Sequence, residues 1–479
     1  MKPYRPGEVG SRSLLSLLVA ALMAGPVQAA DLLTITRDAL ENNAALASAR
    51  AETAGVEAGR DVARGDLLPQ LTAAGQVAHN RQYERQTSGF TPGSGDERYN
   101  SAGLSLEATQ ALYDARDSAE VEQAERRIDQ QTYRLAATEQ QLLIDVASAY
   151  FDILRAHEVL EARRAQERAI GRQLEQAREQ FEVGLIAITE VEEAQARFDQ
   201  SRAERIAAES NLQVSFETLE RLTGERYDSI DVLQDAMPVT PPEPARRDDW
   251  VETAMERNPL VLASRAGVEV SRSGVDVAQA QRLPVVEAFA SYDYADSDQD
   301  GVEGHTSASQ VGARVSLPLY TGGRTSAGIR QSTYTLEASQ YDFEDQRRQT
   351  VQRVRSLFTQ VSNDVATVEA RAQAIVSNQS ALDATRAGYE VGTRNIVDVL
   401  NAEQNLYDAV AAHAEARFDY VINLLTLRQQ AGTLDVEAIE TLDGWLDESR
   451  SVSLTLPGAA ADDPYGAALE IGAPPSPGE

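Results

Sequence analysis

Gln310-Val311-Gly312-Ala313-Arg314-Val315-Ser316-Leu317-Pro318-Leu319 alternates almost without interruption. Val311, Ala313, Val315, Leu317 and Leu319 fall on one side; Gln310, Gly312, Arg314 and Ser316 fall on the other. A period of two is the mark of a strand with one apolar face. Three more segments read the same way. Asn100–Glu107 sets Ala102, Leu104 and Leu106 against Ser101, Gly103, Ser105 and Glu107. Val285–Tyr294 gathers Val286, Ala288, Ala290, Tyr292 and Tyr294, ending in an aromatic pair suited to a membrane interface. Leu71–Asn80 is the weakest, with small residues throughout. Each is about ten residues, the length of a tilted membrane strand. Pro69 and Pro284 stand at strand starts, where a missing N–H is tolerated.

These strands recur in matched places because the chain is duplicated. Phe181-Glu182-Val183-Gly184, then Ile188, Val191 and Ala194, is echoed by Tyr389-Glu390-Val391-Gly392, then Ile396, Val399 and Ala402. Leu222-Thr223-Gly224 meets Gln430-Ala431-Gly432 at the same offset of 208. Leu68-Pro69 matches Leu283-Pro284, and Leu104-Ser105-Leu106 matches Val315-Ser316-Leu317. A repeat of about 200 residues is a doubled unit, not a short solenoid period. Pro238, Pro241, Pro242 and Pro244 form the joint. The expected organisation is a leader at 1–30, a first repeat at 31–237 with strands near 68–80 and 100–112, a second repeat at 238–447 with strands near 283–294 and 310–320, and a disordered tail at 448–479. The tail carries Pro457, Pro464, Pro474, Pro475 and Pro477 among Gly and Ala.

No proline occurs between Pro92 and Pro238 or between Pro318 and Pro457. Such tracts, rich in Ala, Glu, Gln, Arg and Leu, read as helix. Leu143, Val146, Tyr150, Ile153, His157 and Leu160 step by three and four, and Ile170, Leu174, Ala177 and Phe181 resume the stripe. That is a coiled-coil seam, on which His157 reads as a packed residue. Asp114 to Phe181 would run roughly 100 Å as a helix at ~1.5 Å per residue, far longer than a globular core requires. A rod-like coiled coil and a span across the periplasm both fit. The long helices end before Gly184 and Gly392, which can take the left-handed conformation at a helix-to-helix turn.

Lys2, Arg5 and Arg12 precede the apolar run Leu14–Ala24 and the small residues at 29–30, the pattern of a secretory leader. No later stretch approaches ~18 apolar residues, so membrane entry would need a β-barrel. Four strands cannot close one, and open edges are not viable in lipid. Either the strands form an ordinary soluble sheet or several chains pool them. Two chains would give a filled eight-stranded barrel and three a twelve-stranded one with a lumen.

The 479 residues carry 75 acidic and 44 basic side chains, a net of −31, which argues against nucleic acid as a partner. Cysteine is absent and only four histidines occur, so neither disulfides nor a Cys- or His-based metal site is expected. Asp296-Ser297-Asp298-Gln299-Asp300-Gly301 opens like a calcium loop, but Ser307 stands where a bidentate Glu is needed, so a solvated hairpin loop is expected there. Arg81–Tyr99, with Gly89, Pro92, Gly93 and Gly95, reads as the matching loop. No nucleophile–base order or phosphate loop stands out; neither an enzyme nor a cofactor is expected.

The segments around Val183-Gly184-Leu185-Ile186-Ala187-Ile188-Thr189, Gly388–Leu400, Leu317-Pro318-Leu319-Tyr320-Thr321-Gly322-Gly323-Arg324 and Ala431-Gly432-Thr433-Leu434 resemble the TolC family of outer-membrane efflux channels. The resemblance runs from about Asp31 to Leu442. It implies a mixed α+β membrane protein in which long antiparallel coiled-coil hairpins form an α-barrel. Four membrane strands per chain would be pooled by a homotrimer into a twelve-stranded β-barrel. It further implies outer-membrane lipid, a periplasmic adaptor protein and an inner-membrane transporter as partners, with the duct serving drug efflux or type I protein secretion. The competing reading is a soluble periplasmic coiled-coil adaptor or scaffold.

On residue chemistry, Glu190 and Asp398 lie in first helical turns, where acids stabilise the positive end by ~0.3–1 kcal/mol. The resemblance adds a role for Asp398, as a ring of carboxylates narrowing the periplasmic entrance and attracting cations. The family's second ring position holds Asn401 here, which implies weaker cation block. The family's gate uses a tyrosine and an arginine that tie adjacent helix pairs; Tyr389 and Arg394 occupy those positions, facing Thr189 and Glu190.

Overall fold

A computed structural model describes residues 30–85, 94–234, 237–299 and 303–453. Apart from Ala30, the leader expected at 1–30 lies outside the described residues, as do residues 454–479. Helices α1 (Leu32–Asn42) and α2 (Ala44–Gly65) lead into strands β1 (Gln70–Arg85) and β2 (Ser94–Tyr113). Helices α3 (Ala115–Glu182) and α4 (Ile188–Thr223) and strand β3 (Ser229–Leu233) follow. The second half follows the same order with one added helix: α5 (Arg247–Arg257), α6 (Pro259–Ala280), β4 (Val285–Ser297), β5 (Gly304–Ser316), α7 (Arg324–Glu390), α8 (Ile396–Ala431), the added α9 (Val436–Asp443) and β6 (Leu446–Ser453).

The two long helices contain 68 and 67 residues, roughly 100 Å each at ~1.5 Å per residue. Asp114 starts α3 by accepting from the amides of Arg116 and Asp117. The seam read from the sequence is buried at Leu143, Val146, Tyr150, Ile153, Leu160, Ile170, Leu174 and Ala177. His157 is half-buried on it, and burial pushes its imidazole pKa down. No helix among the described residues is long and apolar enough to cross a membrane.

β1, β2, β4 and β5 form one antiparallel sheet in that order, so the two halves meet at β2–β4 and β1 and β5 are its edges. The register gathers the apolar positions on one face: Leu71, Ala73 and Val77; Ala102, Leu104 and Leu106; Val286 to Tyr294 in steps of two; and Val311, Ala313 and Val315. That face is bare in a single chain, with Val77 86% and Val311 83% exposed. The opposite face is polar: Arg314 Nη1 lies 3.5 Å from Glu287 Oε1 and its guanidinium sits 5.0 Å over the Phe289 ring.

The strands exceed their expected lengths. β1 and β2 have 16 and 20 residues and β4 and β5 have 13 each. Much of the loop expected at 81–99 is ladder, with Arg81 opposite Arg98 and Arg85 opposite Ser94; only 86–93 lie outside the described residues. Alternation marks the part of a strand with one apolar face, whereas polar residues extend a hairpin into water without changing its hydrogen bonds. β5 stops at Ser316, short of Pro318, which cannot donate to a ladder. The second expected loop keeps Asp298, which accepts from the Asn100 amide and from Asn100 Nδ2; Asp300-Gly301 is outside the described residues.

The main core surrounds the middle of the long helices. Tyr150 and Phe151 meet edge to face at 5.7 Å, and Phe418 packs beside them. Tyr150 Oη donates to the Asp231 carbonyl at 2.7 Å, and Tyr420 Oη donates to Thr240 O at 2.9 Å. The boundary expected at 447 falls inside β6, which crosses back to pair with β3 of the first half. That pairing holds Ser451, Val452 and Ser453, in the first part of the expected tail, because the β3 edge offers them backbone partners.

Candidate functional site at the helical tip

The end of the molecule remote from the sheet is made by two helix-to-helix turns. Gly184 and Gly392 have φ of +75° and +77°, a conformation other residues adopt at a cost. At each turn two backbone bonds close the helix: Gly184 N to Phe181 O (2.9 Å) with Leu185 N to Gln180 O (2.8 Å), and Gly392 N to Tyr389 O (3.0 Å) with Thr393 N to Gly388 O (2.8 Å). This is the paired closure that a left-handed residue permits.

α8 begins with a reciprocal cap. Asn395 Oδ1 accepts from the Asp398 amide at 2.8 Å, and Asp398 Oδ2 accepts from the Asn395 amide at 3.4 Å. Arg394 Nη1 stands 3.8 Å from the same Asp398 oxygen. Within one chain Arg394 therefore turns to Asp398 and not to Glu190. Tyr389 Oη donates to Gln180 Oε1 at 2.8 Å, joining α7 to α3. Burial, reinforced by the nearby Glu190 carboxylate, raises the Tyr389 phenol pKa. Thus Tyr389 and Glu190 come together, while Thr189 remains exposed. Asn401 accepts from Arg197 Nη2 at 2.9 Å, and Arg197 Nη1 also reaches Gln404 at 3.2 Å, fastening α4 to α8.

An apolar cluster backs these contacts: Ile170, Leu174, Ala177, Val191, Ala194, Ile396 and Leu400, with Tyr389 against them. Sequence reading missed Gln180 and Arg197, whose partners lie on distant helices. It also missed Glu403, which a signal could have found. Ile396, Val399, Leu400, Glu403 and Leu406 follow the buried spacing of α8, so an acid sits on an apolar stripe. It is reached by Arg386 Nη2 at 2.7 Å and Gln173 Nε2 at 3.3 Å. The tip's polar groups fasten helices to one another and present carboxylates at one end; this is binding and electrostatics, not bond-making chemistry.

The outer membrane efflux protein family matches residues 35–225 and 250–433. Outer membrane protein TolC of Vibrio cholerae serotype O1 is 34% identical over 445 residues, covering 91% of this chain and 99% of that protein. The alkaline protease secretion protein AprF of Pseudomonas aeruginosa is 31% identical, with 84% of each chain covered. Among solved structures, the outer membrane protein VceC from Vibrio cholerae superposes with a TM-score of 0.69 over 84% of this chain and 96% of that one, at 21% identity. That last likeness concerns the fold.

Proposed function

The chain belongs to the outer membrane efflux protein family, and on that footing we propose that three copies build one continuous duct from the outer membrane into the periplasm. The protein is an outer-membrane exit channel for efflux or type I secretion, and it is not an enzyme. Three copies of the four-stranded sheet give a twelve-stranded barrel, and the paired long helices continue it as an α-barrel. The observation that carries this reading is the sheet itself. Both edge strands are unpaired in one chain, one face is apolar and bare, and lipid tolerates neither an open edge nor a charged outer face. Pairing β1 of one copy with β5 of the next removes every edge.

Residues 1–30 act as the export leader, and the two repeats follow it, joined near Pro238 and closed by the return of β6 to β3. The turns at Gly184 and Gly392 meet the periplasmic adaptor, behind which an inner-membrane transporter supplies cargo and energy. Three copies of Asp398 converge on the axis as the entrance constriction, with Asn401 one turn further in. Tyr389 and Arg394 hold the tip closed, Arg394 reaching Thr189 and Glu190 of the adjacent copy. The soluble adaptor reading is disfavoured by two strand pairs at matched places in a duplication. Fractionation with electrophoresis tests the proposal: a detergent-requiring outer-membrane protein that migrates as a heat-dissociable trimer is expected. A monomer stable in plain buffer would overturn it.

A further inference from the structure

We infer that Glu403, with Arg386, is a built-in bias toward opening of the tip. This rests on the reading of the tip as a gate. Glu403 is 0% exposed, and both of its donors converge on one oxygen. Oε2 has no hydrogen-bond partner among the described residues, and neither does the buried Nε of Arg386. A buried carboxylate oxygen left without a protein donor is costly, because hydration is lost and nothing replaces it. The burial is complete within one chain, so no neighbouring copy can supply the missing bond.

The placement gives this cost a direction. Arg386 is on α7 and Glu403 on α8, so their ion pair travels with that hairpin. Gln173 is on α3 and, among the described residues, is the group that hydrogen-bonds Glu403 from the other hairpin, at 3.3 Å. Swinging α7–α8 away from α3–α4 gives up the Gln173 bond, the Tyr389–Gln180 and Arg197–Asn401 contacts and the apolar packing of Ile170, Val191 and Leu400; against that cost it lets water reach Oε2, so the acid offsets part of what holds the tip together. The packed tip bears the desolvation and the separated tip does not. On one side Arg163 Nη1 bonds Asp408 at 2.6 Å, and on the other Tyr389 bonds Gln180 beside the apolar cluster of the tip. Around Tyr150 and Phe418 the interface between the two hairpins is apolar. A fully apolar tip would be harder to part; an acid on the buried stripe keeps the closed state shallow.

The test is single-channel recording of the full-length protein in planar bilayers, comparing wild type, Arg394→Ser, Arg386→Met with Glu403→Met, and the three changes together. The Arg386 side chain is 39% exposed and that of Glu403 0%, so the desolvation falls on the carboxylate; replacing both partners by apolar side chains of similar volume often stabilises the packed state. The double replacement is therefore expected to lower the occupancy of the conducting state about tenfold and to suppress most of the gain produced by Arg394→Ser. Conductance equal to or above wild type in the double replacement, while Arg394→Ser still raises it, overturns the inference and leaves the gate standing. No effect of Arg394→Ser overturns the gate reading itself. If the double replacement does not assemble, Arg386→Gln with Glu403→Gln decides, because it removes both charges together: reduced conductance supports the bias, and unchanged or raised conductance overturns it.

Discussion

Asp398 has a local role in the structure and a collective one in the proposed trimer. Locally it completes the cap of α8 with Asn395 and takes the guanidinium of Arg394 at 3.8 Å. In the proposed trimer, three copies on one axis would raise the local cation concentration. Asp398→Asn separates the two, because an amide oxygen can still accept from the Asn395 amide. Stability is expected to fall by no more than about 1 kcal/mol, whereas block by hexammine or divalent cations weakens about tenfold, as loss of a focused charge predicts. Current–voltage recordings with added cation check both halves. Arg394→Ser is expected to raise conductance while leaving the trimer intact, since an exposed ion pair contributes only ~0–1 kcal/mol to folding. The sequence displayed Gly184, Gly392 and the first-turn acids plainly, because caps and turns are local. It did not display that Asn401 is taken up by Arg197, a partner 204 positions away.

The helices and strands are joined by a device used twice. Asn43 caps α2 by accepting from the Ala45 and Leu46 amides, and its Nδ2 donates to Leu222 O at 2.9 Å. Asn258 caps α6 by accepting from the Leu260 and Val261 amides, and its Nδ2 donates to Gln430 O at 2.8 Å. Each asparagine thus starts one helix and closes the end of another, just before Gly224 or Gly432. Gly432 is held there by crowding as well as by its φ of +73°, since a Cβ would lie 2.4 Å from the Arg257 backbone. Asn258→Ala removes a cap and a helix-to-helix bond, and is expected to cost roughly 2 kcal/mol. A lowered denaturation midpoint with unchanged conductance checks this; an unmoved midpoint would contradict it. The helical spans were legible because the 3.6-residue stripe persists for dozens of residues. The short elements β3 and β6 were not, since five and eight residues carry too little periodicity.

For the assembled molecule, the bare apolar face of the sheet is the decisive surface. Val311 and Gln310 are neighbours in β5, both exposed in one chain and pointing to opposite faces. In water, arginine at either position would be harmless. In a lipid-facing barrel the two differ: Val311→Arg is expected to cost about 2–4 kcal/mol at the membrane midplane, whereas Gln310→Arg faces the lumen and is tolerated. The yield of heat-dissociable trimer in the outer-membrane fraction checks the pair. Equal yields would argue that this face never meets lipid.

Periodicity and capping are properties of neighbouring residues, so the linear chain already specified the duplication, the long helices, the strand faces and the two tip turns. Which strand lies beside which, the return of β6 to β3, and the helix opposite Glu403 are contacts between positions far apart along the chain. No local pattern encodes them. They are set when the two halves pack, by which apolar stripes can be buried together and which polar groups that packing leaves facing one another.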